Sequence, residues 1–422
     1  MRSRPRIGPA GNDEPITANM PVGPLPDPLS VTELPPPVRW AIAPNGTGAW
    51  IVTDYRIARQ VLSDPRFLRN ATVEEGGPTL SPSAPAAEAL ITMDGRAHSR
   101  LRGFVARSFT ERRVAELEPF VTQYVGELLD DLMRQERPAE FISTVATPLP
   151  FGVLCHVLGV PAEDRQVFGS WVNVLFRLDG DSADTRKDGI GLALYMTRLV
   201  KRKRANPGSD LISELAASAM DDDGPTDREL VTLCLSLLMA GYESTIDQIG
   251  LLVLALALND DISQLFRDDV EMVPRLTEEL IRLSPSPYIS FPRVAAERVT
   301  FGAVTIEAGE PVVIFLMGAN RDESVFTSPG QPALSVQPPH LTFGHGVHRC
   351  LGASLARLQL TILLHALATR MPHLRVTDDL AALEWKTGMA TRGLARLHVS
   401  WLRPHPRGRR VPRRADDEYA RS

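Results

Sequence analysis

The sequence predicts a mainly α fold with a minor β region. Three observations carry that prediction. Apolar residues recur at helical spacing from about His98 to Leu283. Within that stretch, the run from Thr226 to about Asn259 is unbroken, and at about 1.5 Å per residue it is long enough to cross a whole domain. After Leu283 the pattern changes to alternating β-branched runs around Gly302 and Gly309, which read as short strands.

The bulk numbers set the frame. The chain has 422 residues, 43% hydrophobic and 23% charged, which is the balance of a soluble globular protein with a large core. A net charge of -5 gives no general attraction to nucleic acid or membrane. The three cysteines, Cys155, Cys234 and Cys350, form no CxxC pair, which excludes a disulfide framework and a structural zinc site and points to a reducing compartment. The first twenty residues lack an apolar core of signal-peptide length. The greasiest segment, Leu230 to Leu258, carries Glu243 and Asp247 near its middle, costly in lipid, so it is expected to be a helix buried in protein. A cytoplasmic location, no membrane and no nucleic-acid partner are expected.

Taken in order, residues 1–37 are rich in proline and polar residues and read as an arm, disordered over 1–20. Val38 to Asp54 contains two β-prone runs flanking Asn45-Gly46, a hairpin signal. Tyr55 to Leu68 carries a helix pattern, and residues 71–92 lack periodicity and read as a long loop. Thr226 with Glu229 three residues on forms a capping box that starts the long helix, expected at about 227–259. A second strong helix runs from about Leu351 to Thr369, and short β-like runs lie near 373–376 and 394–401. Residues 404–422 are basic, then acidic, and interrupted by proline, as in a solvated tail. Residues 21–403 are expected to form one domain.

The stretch FGHGVHRCLG, residues 343–352, concentrates chemistry. A lone cysteine is more often an inert small hydrophobe than a ligand. Cys350, however, follows a glycine-rich turn and stands at the start of the 351–369 helix, where unpaired N–H groups favour a thiolate. Arg349 and His348 add positive charge. Gly346 and Gly352 have no Cβ, so a flat object can approach the backbone. A thiolate beneath a planar macrocycle accounts for all of these features together, and a core cysteine for none.

Phe343, Gly346, His348, Cys350 and Gly352 fill the pattern Phe-x-x-Gly-x-His/Arg-x-Cys-x-Gly, and the stretch resembles the haem-binding loop of the cytochromes P-450. The resemblance runs from about residue 20 to 402. It implies a helical prism around haem b (iron protoporphyrin IX), with Cys350 as the axial iron ligand and Phe343, Gly344, His348 and Gly352 around the ring. Glu279 and Arg282 match the family's Glu-x-x-Arg brace behind the loop. His98, Arg102 and Arg293 match the cations that, with His348, hold the propionates. Glu243, Ser244 and Thr245, in AGYEST, match the acid–alcohol pair that organises protons, beside Gly241, which would open a groove for dioxygen. Ser244 stands where the family most often has threonine. Two further departures are DGRAH (94–98) in place of Asp-Pro-Pro-x-His, and a 322–339 segment without the arginine or histidine that usually completes the brace.

By the same resemblance, the substrate pocket is walled by the 71–92 loop, by Val174 to Arg177, and by Leu237, Met239 and Ala240. Tyr288, Ile289 and Phe291, in the 287–291 segment, and Met389, in 388–391, close it, and their apolar character suggests an apolar small molecule. Electrons are expected from a separate ferredoxin and ferredoxin reductase fed by NAD(P)H. The docking face would hold Arg100, Arg107, Arg112, Arg113 and Arg349. The implied enzyme is a monomeric haem-thiolate monooxygenase that hydroxylates or epoxidises such a molecule, with antibiotic tailoring on a polyketide, macrolide or peptide as its setting. The alternatives are an oxidase of the same fold that forms C–C or aryl cross-links, and a non-catalytic partner protein that keeps the fold.

Overall fold

The computed structural model describes residues 37–401, apart from 43–46, 75–76, 79–87, 167, 169–182, 220–222, 334 and 387–390, and without the side chains of 183–188. Residues 1–36 of the arm, the tail, the Asn45-Gly46 turn, Val174 to Arg177, Met389 and half of the 71–92 loop therefore lie outside the described residues.

The strands are β1 (Val38–Ile42), β2 (Gly48–Val52), β3 (Phe67–Leu68), β4 (Ala139–Glu140), β5 (Arg293–Ala295), β6 (Val299–Phe301), β7 (Val304–Ile306), β8 (Pro311–Ile314), β9 (Arg375–Val376) and β10 (His398–Ser400). The main sheet has the order β1-β2-β8-β5-β3. β1 and β2 form the expected antiparallel pair with Trp40 opposite Trp50. The two indoles meet edge to face at 5.4 Å, a favoured aromatic geometry. The helix that follows ends at Ser63, not at Leu68. Pro65 forces Asp64 into an extended conformation (ψ 120), and the chain turns into β3 instead.

Helices make up the rest. The long helix is Asp227–Leu258, and both hydrogen bonds of its capping box are present. Every residue from Thr245 to Ala257 is buried, so its second half is the core of the helical layer. By length and composition it could cross a membrane, but these residues are already surrounded by protein. Its first half is more open: Met239 is 43% exposed. Two further helices, Val273–Leu283 and Ala353–Arg370, pack against each other and against the long one. The Cys350 loop packs against the first helix, Tyr55–Ser63, and Thr342 Oγ1, just before it, donates to Ile281 O of the Val273–Leu283 helix at 3.2 Å.

Candidate active site

The loop 343–352 is held by its own backbone. Cys350 N–H donates to Phe343 O at 2.7 Å and Gly344 N–H to Leu341 O at 2.8 Å. Gly344 and Gly346 both take φ of 70°, in the left-handed region that glycine tolerates. A Cβ on Gly346 would lie 2.5 Å from Leu62 O. This glycine therefore admits the first helix, not a flat ligand; at Gly352 no atom lies within 4 Å of that position. The following helix begins at Ala353, with Gly352 as its N-cap. Cys350 thus precedes the first turn by more than expected. Gly352 N–H, Arg102, Arg349 and Arg357 all favour the thiolate, yet burial outweighs them and pushes the thiol up. The residue is nonetheless open by surface area, as expected of a sulfur facing an interior cleft.

Behind the loop, Glu279 and Arg282 form a buried bidentate pair at 3.0 and 2.8 Å. Among the described residues, no arginine or histidine completes it. Arg282 donates instead to four backbone carbonyls, those of Asn320 (2.9 Å), Ser328 (2.9 Å), Pro329 (3.1 Å) and Gln331 (3.0 Å). Glu279 accepts Ala333 N–H at 2.8 Å, and Phe326 lies under the guanidinium at 4.9 Å. Every group is satisfied, the condition under which a buried pair is tolerated. Asn320 carries the brace to the loop. Its amide donates to Arg282 O (3.2 Å) and Thr342 Oγ1 (2.9 Å), while its oxygen accepts Leu341 N–H (2.7 Å). Beside it, Glu278 takes both arms of Arg357 at 2.6 and 2.8 Å. Arg357 in turn covers the Phe343 ring at 4.4 Å.

On the other side of the loop a cluster of basic groups converges. His98 and His348 pack ring on ring at 4.3 Å. Arg293 is buried and its Nε has no partner, nor has His98 Nε2. Arg102 donates to Arg349 O. Sequence reasoning missed Arg69, which is buried here, donating to Ile91 O (2.9 Å) and Pro292 O. Burial, reinforced by these like charges, lowers His98 to about 4 and Arg69 to about 9, and burial lowers Arg293 to about 10. Asp94, the first residue of DGRAH, faces them. It accepts Arg69 and Asn70 N–H at 2.6 and 2.8 Å and lies 3.3 Å from His348 Nε2. One carboxylate among so many cations, with two buried nitrogens unpartnered, fits a flat group bearing more than one anionic arm.

The long helix supplies the third side. Ser244 Oγ donates to Ala240 O at 2.8 Å, the back-bond that loosens a helix turn. Gly241 does not face a groove: a Cβ there would meet Leu154 at 3.2 Å. Thr245 is buried. Glu243 pairs with Lys386 at 2.5 Å, and Lys386 reaches Asp247 at 2.8 Å. Thr391 Oγ1 donates to the other Asp247 oxygen at 2.7 Å. Burial and then Asp247 raise Glu243, against the pull of Lys386. The pocket residues divide. Met239 and Ala240 are open, and Phe291 is 49% exposed beneath Arg69. Leu237 packs on the helical core, and Tyr288 and Ile289 lean on the sheet cluster of Ala41, Ile51 and Phe315.

The expected docking arginines also separate. Arg100 pairs with Glu229 and donates to Asp223 and Gly224 carbonyls, and Arg113 pairs with Glu214 at 2.6 Å. These two tie helices together and are not free for a partner. Arg349 stays exposed, next to Val347 at 60% exposure.

Comparison with known proteins matches this geometry. The family model described as Cytochrome P450 matches residues 178–371. Nocardicin C N-oxygenase of Nocardia uniformis subsp. tsuyamanensis is 40% identical over 365 residues, 85% of this chain and 91% of the relative. Mycinamicin IV hydroxylase/epoxidase of Micromonospora griseorubida is 37% identical over 368 residues, 86% and 92% of the two chains. The solved structure of the mixed-function P450 MycG superposes with a TM-score of 0.82 at 36% identity, covering 89% of this chain and 98% of that one. The putative thioether synthase SgvP gives 0.79 at 36% identity, covering 87% and 93%. With identity of this level along nearly the whole of each relative, the chain belongs to the cytochrome P450 family of haem b monooxygenases.

Proposed function

We propose that this monooxygenase hydroxylates or epoxidises a largely apolar small molecule in the tailoring of an antibiotic or related secondary metabolite, with Cys350 as the iron ligand. The observation that carries the assignment of the sulfur is the loop itself, an open cysteine whose backbone N–H is held by Phe343 O and which is backed by a fully satisfied Glu279–Arg282 brace. The setting follows the names of two relatives, an N-oxygenase of nocardicin C and a hydroxylase/epoxidase of mycinamicin IV.

Bound here, haem supplies the binding and reductive activation of dioxygen. The chain supplies the rest. Arg69, His98, Arg102, Arg293 and His348 would hold the haem propionates, and Asp94 orients His348 through its 3.3 Å contact. Phe343, Gly344 and Gly352 shape the loop that would receive the ring. Burial pushes the Glu243 carboxyl up against the pull of Lys386, which suits it to exchange a proton, and Ser244 and Thr245 place hydroxyls one and two residues on. Met239, Ala240 and Phe291 present apolar surface that excludes water from the substrate side. Electrons come from a ferredoxin and its reductase, docking around Arg349 and Val347. The protein works as a cytoplasmic monomer whose one domain spans residues 21–403.

The test is the reduced, carbon-monoxide-bound spectrum of the holoenzyme. The wild type gives the strongly red-shifted Soret band of a thiolate ligand, and Cys350→Ser loses it. An unchanged band in the variant sinks the assignment. One solved neighbour is a putative thioether synthase, so a bond-forming oxidation is the second reading. Product analysis under labelled dioxygen separates the two, because only insertion leaves label in the product.

A further inference from the structure

Arg392 stands in the C-terminal loop, and its side chain is unlike that of Arg282. It is 4% exposed, and all three of its guanidinium nitrogens are buried without a hydrogen-bond partner among the described residues. No other described arginine is left in that state. Its guanidinium lies 4.7 Å from the centre of the Trp385 ring, whose own Nε1 is also buried and unpartnered. Among the described residues, Tyr288 is the titratable group that acts on it. Burial lowers it to about 10, which still leaves it a cation at neutral pH.

Its location ties it to the reaction side of the long helix. Arg392 N–H donates to Ser286 O at 2.8 Å, and Ser286 Oγ donates to Ser244 O at 3.2 Å. On one side Thr391 is bound to Asp247, and on the other a Cβ on Gly393 would lie 1.8 Å from Asp247 Oδ1. The loop is thus pinned to the helix turn that carries Glu243 and Ser244. Among the described residues the nearby acids are already taken: Glu243 and Asp247 share Lys386.

A buried guanidinium with none of its N–H groups accepted is costly, and such groups are rare unless a partner arrives from outside the chain. The Trp385 face supports the cation from one side but accepts no N–H bond. A planar fork of donors matches a carboxylate better than any other common group.

We propose that Arg392 is the anion-recognising residue of the substrate site, taking a carboxylate on a substrate whose body is apolar, with Trp385 and Tyr288 beside it. This deepens the monooxygenase reading and rests on it. The carboxylate fixes one end of the molecule at the C-terminal loop and leaves the apolar end to Met239, Ala240 and Phe291. An uncharged analogue would bind without that register.

The test uses ligands that anchor on the iron, so binding does not depend on guessing the substrate. A homologous series of imidazolyl-alkanoic acids and their primary amides is titrated into the holoenzyme, and the Soret shift is read. At the best chain length the wild type binds the acid at least about tenfold tighter than the amide. Arg392→Gln abolishes the preference, with the larger loss on the acid, while Arg392→Lys keeps part of it. Equal affinity for acid and amide at every length in the wild type overturns the proposal, as does a preference that survives in Arg392→Gln. Should Arg392→Gln not take up haem, the wild-type and Arg392→Lys titrations decide alone. No Soret shift with plain imidazole would instead sink the haem reading, so the two failures are distinguishable.

Discussion

The two sides of the Cys350 loop treat buried charge in opposite ways. Behind the loop, Arg282 is wholly buried and saturated, its donors taken by Glu279 and four backbone carbonyls. Across the site, Arg392 is almost as buried and has no acceptor among the described residues, while Glu243 and Asp247 crowd around one lysine. A closed network rigidifies, and an open one is where a ligand or a proton can enter. The difference separates the part of the molecule that holds the sulfur from the part that handles substrate.

The contrast breaks most completely at Arg282. Arg282→Ala strands the Glu279 carboxylate in the core, at a cost of about 3–5 kcal/mol. Urea unfolding and haem content measure it; a variant that keeps both would show the brace to be dispensable. A smaller effect, about 1–3 kcal/mol, is expected for Lys386→Met, which leaves two facing acids without their cation. Burial already raises Glu243 above its usual 4.5, and losing Lys386 raises it further. An acid raised by folding destabilises the fold as pH climbs above 4.5 through its folded value. Lys386→Met should therefore lose stability on that climb more steeply than the wild type, and parallel pH curves would remove Lys386 as the counter-ion.

The smallest effect sharpens the same contrast from the braced side. Burial opposes it, but His340 and Arg357 pull Glu278 down to about 2. A carboxylate lowered by folding stabilises above 4.5, and that contribution fades as pH falls toward about 2. Glu278→Gln should flatten this acid limb. The pair is partly solvated, so the change is under about 1 kcal/mol. Thermal unfolding across that range reads it.

Much of this was legible in the sequence because side chains announce it. The Thr226–Glu229 box, the antiparallel pair on either side of Asn45-Gly46, and the spacing of Glu279 and Arg282 are local patterns, and each element formed where expected. The acceptors of Arg282 were not legible, because a main-chain carbonyl has no residue identity. Arg69 gave no periodic signal, and its place among the cations depends on a turn at β3 that Pro65 creates. Lys386 and Glu243 lie 143 residues apart, a separation that no local pattern spans. Gly346 was misread for a related reason: its missing Cβ admits Leu62 O, a neighbour visible only once the chain is folded.

The carbonyl cage around Arg282 bears on how this region can change over time. Because the acceptors of 328, 329 and 331 are main-chain atoms, most replacements there preserve them whatever the new side chain, whereas Asn320 is also held by its amide. A single inserted or deleted residue would carry the oxygens out of reach. The segment can drift in identity while its length stays fixed, and an alignment of its descendants would look poorly conserved at the place where the sulfur's support is most constrained.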